Sequence, residues 1–578
     1  MVLVWRPFMN GRFPWLVVLA ATFQASCGHA AEAADAIYSG GHIITVVDKA
    51  PLAEAIAVKA GKIVAVGAKA EVMKFKGEST KLIDLDGKAL LPGFIDSHGH
   101  MIAVGLQRSV ANLLPPPDGT CDSIDAVSAT LKQWAGSEAA KRIGGARVII
   151  GFGYDDAQLK ERRHPTRHDL DKVSLDQPVV LIHQSGHLGA INTKALRIVG
   201  INASTPNPHG GVIRREEDGK TPNGVLEETA WLKVLMGSVL PFVSRGNMDY
   251  FMEKGQDACA SFGYTTVQEG RASAEEVASL GEAAMSGRFR LDVVAYQDPF
   301  AGNAELDPRW HGPDYKGRFR VGGFKVNLDG SPSGKTAWLT KPYKVPPPGQ
   351  GEQYRGYPTF TDGVLFPVIR QAVAKKIQIL AHCNGDAASD QYIAALKQAG
   401  EPDQLKSIRP VMIHAQTVRE DQLDEMSRMG IIPLFFSMHT YYWGDWHRDE
   451  TLGKERAYRI SPAVSAMKRN MLWTSPHDAP VALPDSIRIL SSCVTRKSRS
   501  GDIIGPDQRV SMADAIKALT ANAAWQYGEE ARKGTLEPGK LADLVILSAN
   551  PLTIPPDNIM DLKVVETIKE GRTVHKSR

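Results

Sequence analysis

After the first 35 residues, the chain contains a series of short apolar runs separated by glycine, aspartate and lysine. They cover residues 37–47, 55–58, 63–66, 82–85 and 89–91. Runs of this length, bounded by turn residues, predict β-strands. Comparable runs return only near the C-terminus, at residues 543–547 and 564–568. We therefore expect the two ends of the chain to pair and form one small β domain, a β-sandwich.

Between these ends, short apolar strands alternate with segments of helical periodicity such as residues 366–375 and 388–400. With the strand that begins at Phe94, the candidate strands number eight; the others are residues 264–268, 291–296, 321–328, 377–381, 411–414, 431–436 and 471–474. Eight strand–helix units predict an α/β fold, a (β/α)₈ TIM barrel, whose reacting groups lie at the carboxyl ends of the strands.

A long interval, about residues 102–262, separates the first and second barrel strands. It contains its own strand candidates at residues 147–151 and 178–183, so we expect an inserted subdomain. The predicted organisation is residues 34–91 and 530–578 for the small β domain and residues 92–529 for the barrel with its insert.

The first 33 residues have the pattern of an export signal. Arg6 and Arg12 precede an apolar stretch at residues 13–23, and small residues follow up to Ala30 and Ala33. This predicts a cleaved signal peptide and a periplasmic or secreted protein, with no stable membrane span after cleavage. Lipid attachment at Cys27 and an uncleaved anchor remain alternatives.

Composition narrows the class of protein. The 578 residues are 43% hydrophobic and 23% charged, with a net charge of +4. These are ordinary values for a globular enzyme, and without a long basic run nucleic acid is not an expected partner. The five cysteines are scattered and contain no C-x-x-C pair, which argues against a disulfide scaffold or a cysteine-rich metal site. A homo-oligomer is left open.

The candidate chemistry starts with His98-Gly99-His100, directly after an apolar run. Residues i and i+2 of a strand share a face, so the two imidazoles can converge on one ion. Further polar residues fall within or at the ends of later strands: Lys325, His382, His414 and Asp478. Each has an ordinary alternative, a hydrogen-bonded core histidine or, for Lys325, an ammonium paired with Asp329 or Asp478. Their joint order along one barrel predicts a metal site.

In this order of residues the chain resembles the amidohydrolase superfamily of metal-dependent hydrolases. More narrowly it is similar to the branch that includes N-substituted formamide deformylases. The resemblance covers nearly the whole chain after the signal, and beyond the metal motifs it includes residues 187–196, 224–228, 329–331 and 533–544.

The resemblance implies a small-molecule substrate and hydrolysis of an amide-type, non-peptide carbon–nitrogen bond by a metal-activated hydroxide. It implies that His98 and His100 bind one zinc ion, that His382 and His414 bind a second, and that carboxylated Lys325 bridges them. Asp478 would contact metal and act as general base. A single ion held by the histidines and Asp478 remains the alternative.

Three more histidines are candidates for substrate contact. His183 and His187 come from the insert, and His477 stands where many relatives have serine before the aspartate. The alternatives are local loop structure for the first two and an outward-facing supporting role for His477. Other functions also stay open: hydrolysis of an ester, lactone or cyclic imide, or a barrel without catalysis that acts as a periplasmic binding or regulatory protein.

Overall fold

The computed structural model describes residues 33–577 except positions 145–146, 240, 242, 244–245, 303–304 and 348. The predicted signal, residues 1–33, therefore lies outside the described residues apart from its last position. Within the described part, every helix is too short or too polar to cross a bilayer.

The structure contains 21 strands, numbered here in chain order: β1 (Ala36–Ile44), β2 (Leu52–Lys59), β3 (Lys62–Gly67), β4 (Lys81–Asp84), β5 (Ala89–Pro92), β6 (Phe94–Ile95), β7 (Ala111–Asn112), β8 (Ile149–Tyr154), β9 (Val179–His183), β10 (Leu188–Ile191), β11 (Gly211–Arg215), β12 (Pro222–Glu228), β13 (Tyr264–Ala272), β14 (Asp292–Gln297), β15 (Phe319–Asn327), β16 (Gln378–Cys383), β17 (Val411–His414), β18 (Ile432–Leu434), β19 (Leu544–Leu547), β20 (Val564–Lys569) and β21 (Arg572–Lys576).

The α-helices lie between these strands, and most are short. They are Lys69–Val72, Met101–Gln107, Ile124–Ala135, Glu138–Gly144, Arg167–Asp171, Thr193–Ile198, Thr229–Val234, Met248–Ser261, Ala274–Met285, Asp362–Ala374, Asp386–Ala399, Pro402–Ile408, Glu420–Met429, His439–Trp446, Lys454–Ala457, Ala463–Met467, Ser486–Thr495, Met512–Leu519 and Ala521–Gln526.

Seven parallel strands form the sheet that carries the predicted site. Their order is β18-β17-β16-β15-β14-β13-β6, and all neighbouring pairs are parallel. Parallel pairing requires a crossover between successive strands, and helices such as Asp386–Ala399 provide it. The chain therefore has the predicted α/β fold of TIM-barrel type.

The predicted eighth strand is much reduced. At residues 471–474 a single bridge, Leu434 to Thr474, takes its place. Beyond it, Asp478 donates its backbone N–H to His98, and His100 donates to Ala479. Pro476 and Pro480 have no N–H to give to a regular ladder. These few bonds nevertheless join the two edges of the parallel sheet, directly beside the first two predicted metal ligands.

The two ends of the chain meet in an eight-stranded sheet ordered β21-β20-β19-β5-β1-β2-β3, with β4 beside β1. Its strands are joined in one hydrogen-bonded sheet, where we expected the separate layers of a sandwich. The link is a kink in β1 at Gly40, whose φ of 77° favours glycine. Before it, β1 pairs with β4, and after it with β5, so one strand serves both parts of the sheet.

The interval between β6 and β13 forms a third sheet, ordered β11-β12-β10-β9-β8-β7. Strands β7, β8 and β9 run parallel, whereas β10, β11 and β12 are antiparallel neighbours. Apolar residues of this sheet belong to the same continuous core as those of the barrel. The limits set for the domains from the sequence remain predictions.

A buried ion network connects the small sheet to the barrel. Lys569, at the end of β20, lies 2.6 Å from Asp292 at the start of β14 and 2.7 Å from Asp543. Lys533 lies 2.7 Å from the same Asp292 oxygen, and the two ammonium groups outweigh burial and lower the pKa of the Asp292 carboxyl. Removing one partner would leave a buried charge without compensation.

We therefore predict that Lys569→Met lowers the free energy of unfolding by about 3–5 kcal/mol. The matched control is Lys141→Met, since Lys141 forms an exposed pair with Glu138 and should change stability by no more than about 0.5 kcal/mol. Denaturant unfolding followed by circular dichroism measures both. Equal stability of the two variants would contradict the prediction.

Candidate metal centre

His98 and His100 follow β6 and point toward one carboxylate. His98 Nε2 lies 3.3 Å and His100 Nε2 3.8 Å from Asp478 Oδ1. Together the three side chains offer ligand atoms that all lie within 4.8 Å of one another. Gly99 must stay small, because a Cβ there would collide with His477. The two imidazoles of the H-x-H pattern therefore lie together with the carboxylate of Asp478, which follows the predicted eighth barrel strand at residues 471–474.

His382 and His414 end the adjacent parallel strands β16 and β17, and their ring centroids are 4.5 Å apart. His414 Nε2 lies 3.9 Å from Asp478 Oδ2. His382 Nδ1 faces Asp329 Oδ1 at 3.2 Å. Asp478 therefore stands between the first histidine pair and His414, and Asp329 supports the remaining histidine from behind.

Lys325 lies near the end of β15 with its side chain buried and facing the same cavity. Burial, followed by the nearby positive charge of Arg271, lowers the pKa of Lys325 to about 7. Much of this lysine is therefore a neutral amine near pH 7, which is the form that reacts with CO₂ to give a carbamate. A buried amine with a lowered pKa is compatible with the carboxylation that the sequence resemblance implies.

The imidazoles are held in their neutral form. Burial is the main cause that lowers the pKa of His98, His382 and His414 well below the usual value, and it lowers that of His100 to about 4. A neutral imidazole has a free lone pair, which is what a metal ligand requires. Burial has the opposite effect on the carboxyl of Asp478, because it raises the pKa of this group to about 6.

Gln268 and Glu269, on β13, support the first histidine pair and were not found from the sequence. His98 Nδ1 lies 2.6 Å from Gln268 Oε1, so this nitrogen donates and Nε2 is left free toward Asp478. Glu269 lies 3.8 Å from His100 Nδ1 and accepts the backbone N–H of Ile102. Ligand histidines usually have such a partner on the second ring nitrogen.

The sequence left open an ion pair between Asp329 and Lys325, and the structure places Asp329 elsewhere. Its carboxylate accepts backbone N–H groups of Trp338, Asn384 and Gly385 and faces His382. It is therefore a support for a histidine rather than an ion-pair partner of Lys325. Burial nevertheless raises the pKa of Asp329 to about 7.

The three predicted substrate-contacting histidines are separated by the structure. His187 lines the cavity, its ring 4.9 Å from that of His382 and its Nδ1 2.8 Å from Glu228 Oε2. His183 is fully buried in the insert, against Asp156. His477 is buried against Asp96 and Tyr264, and its Nδ1 accepts the backbone N–H of Ala479. Only His187 of the three therefore borders the cavity.

A cavity of about 280 Å³ opens above these groups. His98, His100, Lys325, His382 and Asp478 border one side of it. The remaining walls are largely apolar and combine barrel loops with the insert; they include Ile102, Leu106, Phe152, Ile182, Leu235, Phe251 and Val481. Convergent polar groups beneath apolar walls are the usual form of a small-molecule site.

The donor set fits a metal ion of zinc type. It combines nitrogen and carboxylate ligands, which zinc accepts. His414 Nδ1 is buried and has no hydrogen-bond partner among the described residues. A buried polar atom without a partner is costly, and coordination removes that cost.

A comparison with known protein families agrees with this geometry. Residues 81–575 match the model of a family described as the amidohydrolase family. YtcJ of Bacillus subtilis, which is named as an amidohydrolase, is 27% identical over 564 residues, covering 94% of this chain and 99% of YtcJ. The N-substituted formamide deformylase of Arthrobacter pascens is 24% identical over 557 residues, covering 93% of this chain and 97% of that protein.

Among solved structures, this chain is similar to an uncharacterized metal-dependent hydrolase from Pyrococcus horikoshii. The TM-score is 0.70 at 23% identity, with 93% of this chain and all of that chain covered. A likeness at this identity supports the barrel-type fold.

Glu269 allows a test of the electrostatics of the site. Burial raises its pKa from 4.5 to about 8, so the folded protein holds a proton that the unfolded chain releases. Stability must therefore fall as pH rises from about 4.5 to about 8. The isosteric variant Glu269→Gln does not lose stability in this way, and its amide oxygen can still accept the backbone N–H of Ile102.

We expect metal-stripped Glu269→Gln to match the metal-stripped parent in thermal stability near pH 4.5 and to exceed it increasingly toward pH 8. Melting temperatures measured across this range provide the readout. Glu138→Gln, at an exposed position, serves as control. A constant difference at all pH values would show that Glu269 is ionised in the folded state.

Proposed function

Because the chain belongs to the amidohydrolase family, we propose that it hydrolyses an amide-type, non-peptide carbon–nitrogen bond in a small molecule, using bound metal. The observation that carries this proposal is the convergence of His98, His100, Lys325, His414 and Asp478 beside one cavity. The name of the Arthrobacter pascens relative supports the bond class, since a formamide contains such a bond.

In this proposal His98, His100 and Asp478 hold one divalent ion, and His382 and His414 hold a second. Lys325, if carboxylated on Nζ, would offer oxygen ligands to both ions; a single ion on the same histidines and Asp478 is the simpler variant. The proposed metal is zinc. When bound, such ions act as Lewis acids and lower the pKa of coordinated water toward 7.

Asp478 is the proposed proton carrier. Its side chain lines the cavity and neighbours His98, His100 and His414. A general base works best with a pKa near the working pH, and burial moves Asp478 in that direction. Asp478 would take the proton of the attacking water and deliver it to the leaving nitrogen.

The cavity walls bind and orient the substrate. His187, held by Glu228 at 2.8 Å, is proposed to contact the substrate carbonyl. Apolar walls from Phe152, Phe251 and Val481 exclude bulk water from the reacting groups and strengthen their electrostatic interactions. His183 and His477 are not part of this proposal, because neither borders the cavity.

The proposed location is outside the cytoplasm. The support is the sequence of residues 1–33, with Arg6 and Arg12 before an apolar stretch and small residues at Ala30 and Ala33. N-terminal sequencing of the protein purified from its own cells tests this. A mature protein that begins near residue 31 or 34 is the expected result, and an intact N-terminus would contradict a cleaved signal peptide.

The function is tested by a hydrolysis screen with metal analysis of the same sample. N-formyl, N-acetyl and N-acyl-amino compounds are offered beside esters, lactones and cyclic imides of matched shape. We propose turnover of the amides and one or two zinc-like ions per chain at the centre beside the cavity. Turnover confined to the oxygen esters would overturn the bond class, and full activity without metal would overturn the proposed chemistry.

Asp478→Asn separates proton transfer from binding. We predict that this variant folds and retains metal but loses about 10²–10⁴-fold in kcat, the usual contribution of a general acid–base group. The control is Asp122→Asn, an exposed carboxylate paired with Lys160, for which kcat should be unchanged. A kcat within twofold of the parent in both variants would remove Asp478 from the proposed role.

Lys325→Ala tests the carbamate bridge. We expect loss of activity and of about one metal ion per chain, with partial recovery of both when a short carboxylic acid is added to replace the carbamate oxygens. Lys160→Ala, at an exposed position, is the control. Full activity of Lys325→Ala without any additive would contradict a bridging role.

A further inference from the structure

A second cluster of metal-ligating side chains lies in the insert, outside the residues that line the cavity. Asp156 follows β8, His164 lies in the next loop, and His183 ends β9. The two strands are parallel, and Tyr154 pairs with His183 across them. Their carboxyl ends therefore lie side by side, and the loop returns His164 to the same place.

The three side chains surround a common point. His183 Nε2 lies 3.1 Å from Asp156 Oδ1, and His164 Nε2 lies 3.5 Å from Asp156 Oδ2. Ligand atoms of these residues are all within 4.8 Å of one another. Ligands at about 2.0–2.1 Å from a tetrahedral zinc are themselves about 3.3–3.4 Å apart. The two separations from Asp156, 3.1 Å and 3.5 Å, are close to this length.

Both histidines have a partner for the ring nitrogen that faces away from this point. His164 Nδ1 lies 3.3 Å from Tyr154 Oη. His183 Nδ1 lies 2.8 Å from Ser185 Oγ and accepts the backbone N–H of Ser185 at 3.1 Å. Binding of an ion at His183 Nε2 therefore moves the ring proton to Nδ1, where Ser185 Oγ can accept it, and such a partner orients a ligand imidazole.

The neighbouring carboxylate of Asp155 is already engaged. It accepts hydrogen bonds from Trp443 Nε1 and Gln158 Nε2, each at 2.6 Å. Asp156, by contrast, faces only the two histidines within ion-pair distance among the described residues. Its side chain is 15% exposed, so of the three side chains it is the one nearest to solvent.

We infer that Asp156, His164 and His183 bind a divalent, zinc-like cation distinct from the centre beside the cavity. This ion would tie the end of β9 to the β8 loop. The next residues, Ser185 to His187, line the cavity. The second site would therefore position the wall that presents His187, without contact with the substrate itself.

A proton is the competing occupant. A protonated His183 could bridge Asp155 and Asp156 as an ion pair, since it lies 3.6 Å and 3.1 Å from them. That arrangement gives His164 no part, because its 3.5 Å separation from Asp156 is long for a hydrogen bond. Metal binding, but not protonation of His183, requires all three side chains.

The metal content of the protein distinguishes a bound cation from a proton on His183. Zinc per chain is measured by elemental analysis for the full-length protein, Asp156→Asn, His164→Gln and the control His168→Gln, an exposed histidine of the same segment. We expect the first two variants to hold about one ion per chain fewer than the parent and the control to match it. Parent-like metal content in both Asp156→Asn and His164→Gln would overturn the inference.

The same comparison in a background that carries both His98→Ala and His414→Ala, which removes one ligand of each ion proposed beside the cavity, separates this site from the other centre. There, added Zn²⁺ should raise the melting temperature of the metal-stripped protein, and His164→Gln should abolish that rise. If a variant fails to fold, crystals of the unaltered protein decide the question. An anomalous zinc peak between Asp156 and the two histidines is expected, and its absence in zinc-loaded crystals would overturn the inference.

Discussion

The cost of burying charge is the constraint on which the site depends. Four imidazoles, an amine and several carboxylates lie together in a region from which most water is excluded. Isolated charges are very costly there, so each group either loses its charge or shares one with a neighbour. Burial lowers the pKa of the histidines and Lys325 and raises the pKa of Asp478, Glu269 and Asp329. Bound cations would satisfy both sets at once, since ligand lone pairs and carboxylates then face positive charge.

Much of the fold could be predicted from the alternation of apolar runs and helical segments. Strands β13 to β17 lie within a few residues of their predicted positions, because long, strongly apolar strands leave little ambiguity. The segment at residues 471–474 has the same apolar character, yet it forms only one bridge. Its pairing depends on Pro476 and on contacts with the end of β6, which are tertiary features. The single connected sheet at the chain ends depends likewise on a kink at Gly40.

The site shows a similar division. The positions of His98, His100, His382, His414 and Asp478 at strand ends were sufficient to predict their convergence. Gln268 and Glu269 could not be recognised, because only the pairing of β6 with β13 brings them beside the histidines. His183 illustrates the opposite error. It ends an apolar strand just as His414 does, but its strand belongs to the sheet of the insert, and a local pattern does not report which sheet a strand joins.

The connection of the chain ends also has a consequence for the order of folding. Strand β5 precedes the first barrel strand, and its partner β19 begins more than 450 residues later. Contacts of such sequence separation form late, because a long loop must close before they stabilise anything. During synthesis, the edge of β5 that β19 covers stays open until Leu544–Leu547 has left the ribosome. Completion of the smaller sheet therefore reports that the whole barrel, which lies between these two strands, has been made.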